Sequence, residues 1–428
     1  IVLPVLGTIM APLAAVFLAE MVSPFHFILG YDVILPVIIL WFMNNVLSKR
    51  PVTFSQVDVK NHPKLPPEGS FMLGGKPMPA LPFALLVFIL MTAFPIHFFV
   101  QNPNQLVSGF ESGLGCYFFG EFIEECSFIS MLMSITIILG IAFSIATYYY
   151  LSNFQVVKIQ KEIENIEAQF ELALFQLGNR ISGGTPTELA IEEAIKDMKD
   201  LEISNLFKRT LHNIRMLGMT FKDALFNPEH GALRYYPSKL IKNVMYTIVD
   251  TARKGITYAS EAMLRISSYL KSVRETQEYI RDLLTETTSS MKFQAYLLTP
   301  LITGMIVSMA DIIIMVLVEL GKYMDSLGMS SAMGMGFEGF SSLFGDVKNA
   351  ISPSLFQLIV GIYVIEVIMI LGIFLTKISK GENKPYQRYL IARMLVVGIV
   401  IYFVVAMMSK MVFGDLIKGA LMGLGVGG

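Results

Sequence analysis

Residues 141–170 read IAFSIATYYYLSNFQVVKIQKEIENIEAQF, and the change of character at Leu151 decides the fold. Up to Tyr150 the chain is an apolar run that begins at Cys126. A helix rising about 1.5 Å per residue crosses a hydrocarbon core of about 30 Å in about 20 residues, so this run is long enough to span. From Leu151 to about Ser290 the chain turns polar, and that stretch carries 18 of the 33 basic and 18 of the 34 acidic residues. Apolar stretches lie on both sides of it. A chain 54% hydrophobic and only 16% charged therefore reads as a bilayer-embedded bulk with one solvent-facing domain set into it.

Working outward, seven runs reach spanning length: Ile1–Val22, Phe27–Leu47, Ala80–Val100, Cys126–Tyr150, Phe293–Val318, Pro353–Thr376 and Leu390–Met408. The first two are separated only by the short turn around Ser23–His26, and read either as two crossings or as a re-entrant pair. The organisation is then an N-terminal membrane region at 1–150 with four segments, a polar domain at 151–290, and a C-terminal membrane region at 291–428 with three. The chain opens at Ile1 inside an apolar run, without an initiator Met, a basic flank or a small-residue cleavage site. That opening favours a longer parent sequence.

Charge distribution orients the segments. Lys49, Arg50, Lys60, Lys64 and Lys76 fill the loop after the second, and Lys377, Lys380, Lys384, Arg388 and Arg393 surround entry to the seventh. The loop between the third and fourth has no Lys or Arg but holds Glu111, Glu121, Glu124 and Glu125. Basic loops stay in the cytoplasm, so the polar domain is expected there, the acidic loop outside, and the C-terminus outside. The only cysteines, Cys116 and Cys126, both fall near the acidic loop, where they read equally as a disulfide or as separate residues with Cys126 buried. Net charge is −1, which argues neither for nor against nucleic acid.

Within 151–290 the periodicity is helical. Ile159, Ile163, Ile166, Phe170, Leu174 and Leu177 form one apolar stripe, ended by Gly178 and Ser182-Gly183-Gly184. Thr185, Pro186 and Glu188 predict a capping box opening a second helix, with Leu189, Ala190, Ala194 and Ile195 on its buried side. A third helix is predicted over Ser204–Leu217 with Gly218 as its stop, then a short turn from Thr220, breaks at Asn227-Pro228 and His230-Gly231, and a helix after Pro237. Near Gly255 a long helix begins, carrying Ala259, Ala262, Met263, Ile266, Leu270, Val273, Ile280 and Leu283. No hinge residue interrupts it before Phe293, so movement of the domain and movement in the membrane are expected to be mechanically connected. The fold class is all-α: a polytopic membrane helix bundle with a cytoplasmic all-helical domain.

The chemistry is sparse. There is no GxxxxGK[ST] loop and no GxGxxG after a strand, and Ser182-Gly183-Gly184-Thr185 reads as loop and cap. Two cysteines and five scattered histidines make no zinc site, and no nucleophile–base set is placed by spacing. No catalytic residue, metal or cofactor is therefore expected, and the chain is not read as an enzyme. Asp311 and Glu366 lie in spanning segments, where an isolated carboxylate is costly. They read as polar coupling between helices or as part of an ion or proton path. Gly328–Gly339 reads as a mobile or membrane-dipping loop, and Leu421–Gly425 as close packing or a frayed tail.

At 167–195 the order EAQFELALFQLGNRISGGTPTELAIEEAI resembles the start of a type II secretion F-domain. The likeness continues through FKDAL at 221–225, YYPSKLIKNVMYTIVDTARKG at 235–255 and AMLRISSYLKSVRETQEYIRDLL at 262–284, with Pro300 and Gly304 in a similar membrane setting. The resemblance, to a family of membrane platform proteins that includes the archaeal archaellum and TadC-like branches, implies a cell-membrane platform protein for an archaellum or archaeal type IV pilus. It implies engagement of a hexameric cytosolic secretion ATPase and of pilin or archaellin subunits, with lipids and a second copy as further partners and no direct nucleic acid. It also implies a second domain upstream, since many relatives have two. Candidate ATPase-facing positions are Lys208, Arg209, Arg215, Lys239, Lys242, Arg253 and Lys254. The alternative is a solute or ion transporter with a regulatory helical insert, running a polar route past Asp311 or Glu366.

Overall fold

The computed structural model describes residues 24–48, 65–107, 116–118, 121–123, 126–236, 238–326 and 352–423. The expected segment Ile1–Val22, the basic residues Lys49, Arg50, Lys60 and Lys64, the acidic residues Glu111, Glu124 and Glu125, and the stretch Gly328–Gly339 lie outside the described residues.

The chain is helical, with two small hairpins. Helix α1 (Pro24–Ile28) passes through a π turn (Leu29–Ile34) into α2 (Leu35–Ser48). Strands β1 (Ser70–Leu73) and β2 (Lys76–Pro79) follow, then α3 (Leu81–Gln101), α4 (Asn104–Val107), β3 (Cys116–Phe118) and β4 (Glu121–Ile123). Next come α5 (Ser127–Ser182), α6 (Thr187–Asp197), α7 (Ser204–Leu217), α8 (Phe221–Phe226), a 3-10 turn (Ala232–Tyr235) and α9 (Lys239–Ala252). Helix α10 (Ile256–Phe293) continues through a second π turn (Gln294–Leu298) into α11 (Thr299–Ser326), and α12 (Pro353–Lys380) and α13 (Lys384–Gly423) close the chain.

Among the described residues, five helices are long and apolar enough to cross a bilayer: α3, the first part of α5, the joined α10–α11, α12 and α13. They coincide with five of the seven expected segments. The expected Phe27–Leu47 falls on α1, its π turn and α2, of which the apolar helix Asp32–Val46 is the shorter core. Helix α12 is the centre of the bundle. Ile359, Val360, Tyr363, Val364, Val367, Ile368 and Leu371 bury its sides against α5, α11 and α13, the pattern of a helix apolar all round. Small residues set the close crossings, as expected where lipid is as apolar as the helix surface. At Gly304 a Cβ would stand 3.1 Å from the Tyr402 carbonyl oxygen and 3.2 Å from the Ala406 nitrogen. One turn on, the Ser308 hydroxyl donates to the Ala406 carbonyl at 2.9 Å.

Helix α5 does two jobs. Its 56 residues reach about 84 Å, far more than a bilayer requires, so beyond Tyr150 the same rod becomes the spine of the non-membrane domain. The expected stripe is found there: Ile166, Phe170, Leu174 and Leu177 meet Ile191 of α6, Leu206 and Phe207 of α7, Ile241 and Met245 of α9 and Met263 of α10. Helix α7 starts and stops where predicted, with Gly218 in the left-handed region at φ 62°. Thr220 caps α8 by accepting from the Asp223 N–H, and Ser238 caps α9 by accepting from Ile241 N–H.

Three local expectations are corrected. Gly178 does not end the stripe's helix. It lies within α5, where a Cβ would come 3.1 Å from Met263, so it permits close approach of α10. The capping box at Thr185 is displaced. Pro186 keeps an extended ψ of 143°, so α6 begins one residue later with no side-chain cap, and Glu188 falls out of step with the Thr185 hydroxyl. Leu189, expected on the buried side of its helix, is exposed, and so is Leu283 on α10. Ile191 and Met198 fill the α6 face instead, and α10 beyond Leu270 has left the domain core.

Contacts between loops sort the two ends of the bundle. The Gln155 carboxamide, just past Tyr150, accepts from Met72 N–H and donates to Met72 C=O, both at 2.9 Å, and pins the β1–β2 hairpin to α5. Lys380 pairs with Glu164 at 2.6 Å, and Asn383 donates to Gln160 at 3.3 Å. Lys76, Lys380, Lys384 and Arg388 thus belong to the end that bears the non-membrane domain. At the opposite end the Ser352 hydroxyl donates to the Leu106 carbonyl at 2.6 Å. Asn102 exchanges hydrogen bonds with Tyr117, and a disulfide joins Cys116 to Cys126, resolving the open reading of the two cysteines.

Candidate functional site

The non-membrane domain is a helical bundle built on the spine of α5. Helix α10 runs back along α5: Met263 and Leu264 pack on Gly178, and Arg274, nearer the membrane, pairs with Glu171 at 2.8 Å and donates to the Ala168 carbonyl at 3.2 Å. Helix α7 starts level with Gln169, whose Oε1 accepts from Ile203 N–H. Helix α9 starts level with Glu167, which accepts from the Ser238 hydroxyl. Both run outward and end at the tip, near the α5–α6 turn.

This geometry divides the seven basic positions expected to face a partner. All seven are exposed. Lys239 and Lys242 sit at the membrane-proximal start of α9. Arg253 and Lys254 follow its far end, about 20 Å away along a 14-residue helix. Arg215 is also distal, but it is engaged with Glu192 at 2.5 Å. That hydrogen bond and charge, with Lys196 nearby, hold the Glu192 carboxyl below the ordinary range. Arg209 stacks its guanidinium 4.0 Å over the Tyr235 ring, beside Lys208 at the middle of α7. The positions therefore form no single patch. What the charge pattern missed is apolar: Met216 is 71% exposed, Tyr258 62% and Ile256 52%, all at the tip beside Arg215, Arg253 and Lys254. None of the three belongs to the apolar stripes read from the sequence, and the packing leaves them exposed.

The base of the domain carries its own electrostatic strain. Burial raises the Glu167 pKa above the usual glutamate range, the Ser238 hydrogen bond acts the other way, and nearby Glu164 raises it further. A folded-state value above the unfolded one makes stability greatest at low pH and erodes it as pH rises through the folded value. Glu167→Gln keeps an acceptor for Ser238 and removes the buried charge. It is expected to raise the thermal midpoint of the purified protein at pH 8 while leaving it nearly unchanged at pH 4. Equal shifts at both pH values would remove Glu167 as the source.

Domain and bilayer are joined by backbone. Helix α5 has no break between them, and α10 enters α11 through the π turn Gln294–Leu298. Pro300 accounts for that turn. It has no N–H to offer, and its ring crowds the carbonyl of Tyr296, four residues earlier and inside the π turn. The same relation recurs at Pro36, whose fourth predecessor is Asp32 in the π turn Leu29–Ile34. Pro95 is carried inside α3 without such a turn, so proline alone does not dictate it. The joint is thus a widened but unbroken helix, and Pro300 was its sequence signal.

Glu366 lies midway along α12. Its near neighbour in charge is Asp32, on the π turn packed against α12, and both lie close to the Tyr363 hydroxyl. Asp32 Oδ1 and Glu366 Oε2 are inaccessible and without hydrogen-bond partners among the described residues. Asp32, the acidic neighbour of Glu366, is a residue that periodicity did not single out. The backbone of Asp311 belongs to α11, and its side chain lies outside the described residues. Among the described residues no group of three or more His, Cys, Asp or Glu is placed to hold a metal ion. Compared with known proteins, the chain matches no family model, no curated protein and no solved structure.

Proposed function

We propose that this chain is a membrane platform that couples a cytosolic secretion ATPase to assembly of an archaellum or an archaeal type IV pilus. One observation carries the reading: α5 and α10–α11 each run without a break from the helical domain into the bilayer bundle, so displacement at the tip is delivered to the membrane by rigid rods. The resemblance across 167–284 supports the same role. Placing the domain in the cytoplasm is supported by the basic residues at its end of the bundle and by the disulfide at the other, the end an oxidising compartment would meet. On this reading the distal tip, with Met216, Ile256 and Tyr258 rimmed by Arg215, Arg253 and Lys254, is where the motor docks. Lys239 and Lys242, near the membrane, contribute little to that contact.

Purification of the intact protein from its native membrane tests the proposal. A hexameric ATPase and pilin-like subunits are expected to co-purify, with no ATP turnover by the isolated chain. A second reading, a transporter with a regulatory insert, is favoured by the Asp32–Glu366 pair, because apposed carboxylates within a bundle suit proton or cation passage. Proton or ion flux through reconstituted protein, abolished by Glu366→Gln, would establish that reading. Unchanged filament assembly in Glu366→Gln, with no flux, would discard it.

A further inference from the structure

A groove of about 400 Å³ runs along the seam between α2 and α12. Asp32 neighbours Glu366 and Asn44 meets Lys377, so the two helices run parallel and in register toward the end that bears the domain. Helix α2 packs on α12 and buries Pro36 and Ile39. Val37, Leu40, Trp41 and Asn44, at helical spacing on the adjoining face, stay exposed and form one wall. Trp41 is the only tryptophan in the chain and is 68% exposed. Phe374 and Lys377 stand on the other wall.

The groove is graded by depth. At its domain end the Lys377 ammonium donates to the Asn44 carboxamide oxygen at 3.0 Å, which uses one of its three N–H groups. Phe374 lies about 5 Å deeper along α12, Trp41 the same distance below Asn44, and Val37 about 10 Å below it. Everything beneath the Lys377–Asn44 level is apolar. Lys377 is the single ionisable side chain in the walls. Among nearby carboxylates, Glu366 lies about 16 Å deeper along α12, Glu164 is taken by Lys380, and Glu382 is exposed in the turn beyond the helix. One positive charge therefore caps an apolar trough on the lipid-facing side of the bundle. A soluble phosphate would leave the trough empty, and a bare hydrocarbon would leave Lys377 without an anion. A phosphate joined to an acyl chain satisfies both. A choline headgroup would bring a second positive charge beside Lys377, which an uncharged glycerol headgroup does not.

We infer that this groove binds an anionic phospholipid, its phosphate at Lys377 and Asn44 and its acyl chain along Trp41, Phe374 and Val37. The site does not depend on which machine the protein serves.

Trp41 makes the test direct, because all tryptophan fluorescence comes from the groove wall. The full chain is reconstituted in phosphatidylcholine vesicles containing either phosphatidylglycerol or phosphatidylcholine brominated high on an acyl chain, and quenching is followed against mole fraction. Half-quenching is expected at an about fivefold lower fraction of the brominated phosphatidylglycerol, the worth of one basic group at an anionic surface. Lys377→Gln should bring the two curves together, Lys377→Arg should keep them apart, and Lys242→Gln, out on the domain, should change nothing. Circular dichroism on each variant confirms that the fold is retained. Equal quenching by the two lipids, or a preference that survives Lys377→Gln, overturns the inference. So does the lack of quenching by either, which would put protein over the groove. A preference lost in inorganic phosphate but kept in chloride of equal ionic strength would assign Lys377 to a soluble anion and overturn it too.

Discussion

A proline at position 286 is expected to abolish filament assembly while leaving the motor bound. Glu286 is exposed on α10, between the domain core and the bundle, and belongs to neither. Proline there removes one backbone hydrogen bond and crowds the carbonyl of Asp282, kinking the helix at a local cost of about 3 kcal/mol or more. Neither core is touched, so folding of the domain and of the bundle survives. What is lost is the rigidity of the rod. Under the proposed function, Glu286→Pro should therefore retain ATPase in a pull-down and produce no filaments by electron microscopy. Glu286→Ala, which leaves the helix intact, should assemble normally. Filaments from the proline variant at the level of the alanine variant would show that force does not pass along α10.

Gly304→Leu is expected to be the most damaging single change in the membrane. The crossing of α11 and α13 brings backbone to backbone there, with the Tyr402 carbonyl and Ala406 nitrogen within 3.2 Å of where a Cβ would stand. A flexible side chain can swing aside, but a helix backbone cannot, so the two helices must separate. Overpacking of a close-packed core costs about 1 to 3 kcal/mol, and backbone opposition places this position at the upper end. Separation also breaks the Ser308–Ala406 hydrogen bond, in a place where water offers no replacement. Thermal unfolding in detergent should show a marked fall in midpoint for Gly304→Leu and a smaller one for Gly304→Ala. A leucine variant as stable as the parent would mean that the crossing is looser than the structure has it.

Most of the architecture was legible because bilayer and water impose opposite rules on composition. Five of the seven apolar runs coincide with helices long enough to span, and the stripe from Ile166 to Leu177 is buried as its spacing demands. The stop at Gly218 and the break at Gly255 were equally plain, since both glycines adopt a positive φ that side chains disfavour. Less was legible at the candidate site. Lys239 and Arg253 are close in the chain, yet a 14-residue helix carries them to opposite ends of the domain. Periodicity placed Leu189 inside because it records a face, without saying whether a partner helix reaches it. The β1–β2 hairpin and the disulfide-linked β3–β4 hairpin were not foreseen, because strands of three or four residues leave too few positions for alternation to show.

The division of the chain into membrane bundle and helical domain, and the helical character of both, follow from the residues alone. Hydrophobic length and 3.6-residue spacing act locally, before any long-range contact forms. The pairing of Asp32 with Glu366, the sorting of seven basic residues between base and tip, and the groove between α2 and α12 follow only from the tertiary structure. Each depends on which helices meet and at what height. That is set by packing between residues distant in the chain, such as Gly178 with Met263 and Gly304 with Ala406.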